Sequence, residues 1–309
     1  MPNYRPIAAR IAKRVFHTPG GATTVQMRVE TLGEGDPEVA VVGAIHGDEP
    51  CGSVAVEAVL DADPEVVRPV KLVVANEEAL ERGVRYVEED LNRAFPGSRD
   101  AVTHEGRLAH DLLTEIRGCE VLSLHSTRSY AAPFALVDEM EGHARSICPY
   151  LSVEAVVETS QYSQGRLIAY PEVIELECGL QRSAVAAENA KSLVREFLVA
   201  TGVLPGDAEP PRHHPLSVFR LDQRIPKEVA DSYDVFVENF ERVAEGEQFA
   251  AADGDPLCAD RPFYPILLSA YGYENVFGYA GNLVGRLDGD DVIAPTGEER
   301  SATADGRNR

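Results

Sequence analysis

Positive charge is what this chain lacks most. Only Lys13, Lys71, Lys191 and Lys227 are lysine, and Lys plus Arg total 29 against 51 Asp plus Glu, a formal net charge of −22 at pH 7. Such a surface repels nucleic-acid phosphates and anionic lipid, so neither partner is expected. Excess carboxylate with little lysine resembles the adaptation of cytoplasmic proteins in extreme halophiles, and a halophilic character is expected here. Long apolar runs are missing too. No stretch approaches the ~20 apolar residues that span a bilayer, so no membrane insertion is expected. The first fifteen residues hold no uninterrupted apolar segment of a secretory signal. Cys51, Cys119, Cys148, Cys178 and Cys258 are odd in number, scattered and without a Cys-x-x-Cys pair, which fits a reducing compartment better than a disulfide framework. The expected address is the cytoplasm.

With 309 residues, 44% hydrophobic and 26% charged, the chain has the composition of an ordinary globular protein with a sizeable core. Short apolar runs alternate with helical patterns through its first two-thirds. Residues 38–45, 70–76, 120–125, 153–159 and 171–179 read as strands, and 52–62, 103–118 and 183–202 as helices. Thr103 can cap the second helix and Gly118 can end it. This alternation argues for an α/β fold with a largely parallel or mixed sheet. Residues 204–215 are rich in proline and charge, the composition of a linker. Beyond them, β-type runs at 216–221, 234–240 and 263–269 suggest a small, mostly β domain. The expected organisation is therefore a catalytic domain over 1–205, a β domain over 212–295 capping the site, and a disordered tail over 296–309.

Four clusters could carry chemistry. His46 and Glu49 follow the first strongly predicted strand, where open α/β sheets place their ligands. An imidazole and a carboxylate three positions apart on a turn can face one metal ion, although His-x-x-Glu alone is usually only a polar loop. His125 ends another apolar strand, and two histidines plus one glutamate form a known catalytic zinc pattern with an open fourth position. Arg85, Asn92 and Arg93 lie in a loop after a strand, where arginine's planar fork suits a substrate carboxylate or a surface ion pair. Glu175 and Glu177, two apart on a strand, share a face, and spacing alone does not choose between them. A carboxylate beside a metal-bound water serves as general base and then as general acid.

Taken in order, these residues resemble the succinylglutamate desuccinylase/aspartoacylase branch of the zinc carboxypeptidase-like hydrolases. The motifs that carry the resemblance are His46-Gly-Asp-Glu49, Asp90-Leu-Asn92-Arg93-Ala-Phe-Pro-Gly97, Leu124-His125-Ser-Thr127 and Glu177-Cys-Gly179. Each is weak alone; their order makes the set specific. The resemblance implies a three-layer zinc-carboxypeptidase-like mixed sheet with a small C-terminal, mostly β domain. It also implies one Zn2+ per chain, held by His46, Glu49 and His125, with Glu177 as the base. Arg85 would polarise the scissile carbonyl and stabilise its oxyanion. Asn92 and Arg93 would hold a substrate carboxylate, and Tyr162 and Arg166 would grip a second one. Tyr273 matches a tyrosine that reaches into the site. The family often has an acid two residues before its third ligand, where this chain has Ser123.

The implied reaction is zinc-dependent hydrolysis of a small anionic N-acyl amino acid, with N-acyl-aspartate or N-acyl-glutamate favoured by Arg166. A homo-oligomer is compatible with this reading. The rival readings are a zinc metallocarboxypeptidase acting on short peptides and a catalytically inactive ligand-binding relative.

Overall fold

The computed structural model describes residues 14–17, 25–207, 209, 215–289 and 291–294. Packing divides the chain into two units. The first runs through His125 and takes in Gly165–Leu167 and Ala190–Glu209; the second holds Ser126–Gln164, Ile168–Asn189 and the chain from Pro210 on.

In the first unit the strands are β1 (Arg14–His17), β2 (Val25–Leu32), β3 (Val39–Gly43), β4 (Val70–Val74) and β5 (Glu120–Thr127), of which β5 contributes its residues through His125. They pair in the order β1-β2-β4-β3-β5. Strand β3 runs parallel to both β4 and β5, while β2 meets β4 antiparallel, so the sheet is mixed. All five residues of β3 are buried, as expected of a central strand whose apolar run does not alternate. Helix α1 (Cys51–Ala62) follows the loop that leaves β3. A Cβ on Gly43 would stand 2.5 Å from the carbonyl carbon of Gly52, and one on Gly52 would stand 2.9 Å from the Leu124 Cβ. The glycine pair therefore lets the start of α1 lie directly on the strands beneath.

The short helices α2 (Glu77–Arg82) and α3 (Leu91–Ala94) had no clear apolar period and were not expected. Each is capped by a side chain: Asn76 Oδ1 accepts from the Ala79 amide and Asp90 accepts from the Asn92 amide. Helix α4 (His104–Glu115) starts where the sequence indicates, with the Thr103 hydroxyl accepting from the Gly106 amide.

The second unit contains β6 (Phe134–Val137), α5 (Gly142–Ile147), β7 (Ala155–Glu158), β8 (Val173–Leu180) and β9 (Leu216–Pro226). The strands β13 (Tyr264–Ile266), β14 (Val276–Asp288) and β15 (Asp291–Ile293) belong to it as well. Their order is β8-β6-β7-β9-β14-β13, with β15 also on β14. A separate antiparallel sheet joins β10 (Tyr233–Val235), β11 (Gln248–Ala252) and β12 (Asp255–Cys258). This is the small C-terminal β region that the composition beyond residue 212 suggests. Helix α6 (Ala184–Ala200) matches its apolar spacing.

The expected domain ranges, 1–205 and 212–295, do not coincide with the two units. The chain does pass between units at 209/210, but β9, beyond the linker, hydrogen-bonds in parallel register to β7, with Ala155 opposite Ser217 and Glu158 opposite Arg220. Residues on both sides of the linker thus share one sheet and one apolar cluster, in which Phe134, Val157, Phe219 and Ile266 are buried together. The tail at 296–309 lies outside the described residues. Among those described, no helix is long and apolar enough to cross a membrane.

Candidate metal centre

The loop leaving β3 is tightly built. Ala44 adopts φ 56°, a left-handed conformation uncommon for a residue with a Cβ, directly before Ile45 and His46. Its carbonyl accepts from the Asn76 amide at 3.0 Å, and the His46 carbonyl accepts from the Glu49 amide at 3.2 Å. Gly47 lies so close to α2 that a Cβ there would be 2.0 Å from the Ala79 carbonyl carbon. The Gly47 amide also donates to the Arg85 carbonyl at 3.2 Å, tying the two site loops together. From below, the Cys51 thiol at the start of α1 donates to the His125 carbonyl at 3.3 Å.

These constraints bring His46, Glu49 and His125 together, each about 4% exposed. Their ligand atoms lie within 4.8 Å of one another. His46 Nδ1 is 2.9 Å from Glu49 Oε1, and His125 Nδ1 is 3.1 Å from Glu49 Oε2. The outer nitrogens are engaged elsewhere: His46 Nε2 with Asp90 Oδ1 at 3.0 Å, and His125 Nε2 with Ser123 Oγ at 3.3 Å. Both imidazoles therefore turn Nδ1 toward the same carboxylate. Two neutral imidazole nitrogens and one carboxylate are a borderline donor set that suits zinc, and outer hydrogen bonds of this kind fix ring orientation. The residues fit the metal.

Burial alone would raise the Glu49 carboxyl, but His46 and His125 outweigh it and hold it well below the usual range. Asp90 behaves likewise: burial opposes ionisation, while His46, Arg85 and Arg93 keep its carboxyl strongly depressed. The Arg85 guanidinium spans both acids, with Nη1 3.1 Å from Glu49 Oε1 and Nε 3.1 Å from Asp90 Oδ2. Asp90 has no separate role in the sequence reading beyond its place in the Asp-Leu-Asn-Arg string. That string was the available signal.

The Asn92 Oδ1 atom accepts from the Leu167 amide at 2.9 Å, so its amide oxygen serves the backbone. The Phe95 amide donates to the Gly165 carbonyl at 3.2 Å. These two bonds bracket Arg166 and fix its backbone beside α3, the helix that carries an exposed Arg93.

The remaining expected site residues belong to the second unit. Glu177 lies in β8, half-buried and opposite Phe134, two residues before Gly179. Gly179 has φ 127°, and a Cβ there would be 2.7 Å from the Ala131 carbonyl oxygen, which accounts for the glycine of Glu-x-Gly. The Tyr162 hydroxyl donates to the Asp222 carbonyl at 3.1 Å, and its ring lies 5.0 Å from the Arg224 guanidinium. Tyr273 packs partly buried against the Phe134 cluster, and its carbonyl accepts from Lys227 Nζ at 2.6 Å.

Comparison with known proteins gives the family and the fold. The profile of the succinylglutamate desuccinylase/aspartoacylase catalytic domain matches residues 35–197, just over half of the chain. A curated protein of Xenopus tropicalis named N-acyl-aromatic-L-amino acid amidohydrolase (carboxylate-forming) is 27% identical over 133 residues, covering 38% of this chain and 43% of that protein. Among solved structures, a succinylglutamate desuccinylase from Silicibacter sp. TM1040 superposes with TM-score 0.68 at 19% identity, covering 88% of this chain and 92% of that one. The product-bound ectoine utilization protein EutE (DoeB) from Ruegeria pomeroyi gives TM-score 0.65 at 21% identity over 91% and 92%. Murine aminoacylase 3 gives 0.61 at 20% identity over 80% and 96%. At such identities the superpositions establish the shared mixed α/β fold.

Proposed function

The chain belongs to the succinylglutamate desuccinylase/aspartoacylase family, and from that premise we propose that it is a zinc-dependent amidohydrolase that removes the acyl group from an N-acyl amino acid. The observation that carries the proposal is the convergence of His46 Nδ1, Glu49 and His125 Nδ1, with Asp90 and Ser123 holding the outer nitrogens. Bound there, zinc would bring the pKa of a water to ~7 and polarise the substrate carbonyl.

The chain's own residues supply the rest. Glu177, the residue matching the family's Glu-x-Gly, takes a proton from the attacking water and returns it to the leaving amine. Arg85 offers a fixed positive charge to the tetrahedral oxyanion, a preorganised donor that needs no reorientation during the reaction. Asp90 and Glu49 neutralise part of that charge while aiming the guanidinium. Arg93 and Arg166 hold carboxylates on the amino acid moiety, with Asn92 supporting Arg93 and fixing the backbone beside Arg166. Tyr162 and Tyr273 are the further substrate contacts that the family resemblance gives this reading.

The frog relative is named for N-acyl aromatic amino acids, yet two arginines favour an acidic moiety, N-acyl-aspartate or N-acyl-glutamate, because each carboxylate then gains a charge-assisted partner. In an acidic protein such a substrate gains from salt, which shortens the Debye length to ~3 Å at 1 M and leaves the local arginines to decide binding. The cytoplasm is the address this reading assigns.

The test is zinc content together with release of primary amine in molar salt. N-acetylaspartate, N-succinylglutamate, an N-acetyl aromatic amino acid and a short peptide are each run beside Glu177→Gln. Cleavage of an acidic N-acyl amino acid that is lost in Glu177→Gln supports the proposal. Cleavage of the aromatic substrate alone overturns the acidic preference, and cleavage of the peptide alone overturns deacylation.

A further inference from the structure

The arginine and the aspartate beside the metal ligands ride on a loop, residues 85–90, that has no regular structure between α2 and α3. Loops hold catalytic geometry only when something rigid anchors them. Beyond the Gly47 amide on the Arg85 carbonyl, the anchor here is one carboxylate from another element. Glu105, in the first turn of α4, is completely buried. Its Oε1 accepts from the Val87 amide at 2.6 Å and from Asn76 Nδ2 at 3.1 Å. Its Oε2 accepts from the Glu88 and Glu89 amides at 3.1 and 3.2 Å. Three consecutive backbone N–H groups thus converge on one side chain, leaving the backbone between Arg85 and Asp90 little freedom.

The fourth donor extends the connection. Asn76 is fully buried, caps α2 through its Oδ1, and donates its backbone N–H to Ala44, two residues before His46. Glu105 therefore links the β3 exit that aims His46 to the loop that aims Asp90 at the same imidazole. An ionised carboxylate is acceptor-only, and four donors match its capacity. Burial works against the charge, but the amides of Val87, Glu89 and Glu88 and the Asn76 side chain together keep the Glu105 carboxyl below its ordinary value. Two neighbouring acids reinforce the same junction, since the Glu88 carboxylate accepts from the His104 amide and Glu89 engages the Thr103 hydroxyl. Those bonds fasten loop side chains to the helix start, whereas Glu105 fastens the backbone amides of 87–89, and the Gly47 amide holds the Arg85 carbonyl.

We infer that Glu105 is the positioning residue of the metal centre, acting through the 87–89 backbone to hold Asp90 on His46 and Arg85 over the site. The inference rests on the zinc reading above. It makes Glu105 a residue that touches neither substrate nor metal yet sets how well the ligands are oriented.

Glu105→Gln replaces one acceptor oxygen by an amide NH2, which points a donor at backbone donors. Zinc affinity, measured by chelator competition, falls ~10–100-fold in this variant, the usual loss when outer support of a ligand is removed. Asp90→Asn loses a similar amount. If Glu105 acts through Asp90, the double variant is no worse than Asp90→Asn alone to within ~2-fold, since residues in one network are not additive. Multiplying losses overturn the inference. If Glu105→Gln does not fold, Glu105→Asp, which keeps the charge and withdraws it by one methylene, takes its place in the same cycle.

Amide hydrogen exchange separates this inference from the zinc reading, because it needs no metal. Faster exchange through 85–90, spreading to 46–49, with unchanged protection in β4, supports the anchor; wild-type exchange in both segments overturns it. A wild-type protein that binds no zinc overturns the proposed function, and exchange then decides the role of Glu105.

Discussion

Asp90 Oδ1 stands 3.0 Å from His46 Nε2, so a depressed, ionised carboxylate orients one candidate ligand. The matching place on the other histidine is filled by a neutral group, Ser123 Oγ, 3.3 Å from His125 Nε2 and fully buried. The departure at Ser123 keeps a partner for the imidazole but removes the charge. The two ligands are thus held unequally.

That inequality is measurable. A hydrogen bond to a charged group is worth ~1.5–3 kcal/mol and a neutral one ~0.5–1.5 kcal/mol. Asp90→Asn is expected to cost ~10–100-fold in zinc affinity, and Ser123→Ala no more than ~10-fold. Equal losses in chelator competition would show that the charge on Asp90 does not matter.

Ligand and base should separate cleanly. Glu177→Gln is expected to keep a full equivalent of zinc and lose nearly all amine release, whereas His125→Ala loses the zinc itself. Substantial turnover in the first variant removes Glu177 from its role; full zinc occupancy in the second removes His125 from the ligand set.

Gly47 tests whether the ligand loop must lie against α2. A Cβ there meets the Ala79 backbone at 2.0 Å, and backbone cannot rotate away as a side-chain tip can. Gly47→Ala is expected to destabilise by about 1–3 kcal/mol and to weaken zinc binding by displacing His46. Urea unfolding and zinc titration that both match the wild type would refute that close approach.

All five cysteines are thiols outside any disulfide, and of the five only Cys258 is exposed. Burial pushes the Cys148 thiol up to about 12, so it stays protonated and unreactive at pH 8. Native alkylation should add one label, on Cys258, against five after denaturation; a second native adduct contradicts the burial. The sign for stability follows from the raised value. The Cys148 contribution is intact below ~8.5, where the unfolded thiol begins to ionise, and is lost as pH climbs toward about 12.

The net charge of −22 predicts salt dependence. Self-repulsion destabilises a compact acidic chain, and the Debye length shrinks from ~10 Å at 0.1 M salt to ~3 Å at 1 M. The melting temperature should rise between 0.1 and 2 M KCl, and a flat or falling trend would remove the halophilic reading.

Sequence by itself determined the framework of this protein. An uninterrupted apolar run marks β3, largely apolar runs mark β4, β5 and β8, and the Thr103 hydroxyl starts α4, whereas the helix ends at Glu115, three residues before the Gly118 that the sequence offered as its end. The four ordered motifs point to the family and to the candidate ligands, since those depend on side-chain type and spacing. Tertiary structure decided the rest. Strand β14 was hidden by Gly278, Gly281 and Gly285, which read as breakers in isolation but sit beside the register shifts that let a thirteen-residue strand follow β9. The four-residue β6 was too short to show a period. Asp90 and Glu105 gained their roles only when folding brought distant donors to them: His46 lies 44 positions from Asp90, and the amides of Val87, Glu88 and Glu89 lie 16 to 18 positions from Glu105. Backbone N–H groups are the same in every non-proline residue, so a carboxylate that anchors a loop through them leaves no pattern in the sequence.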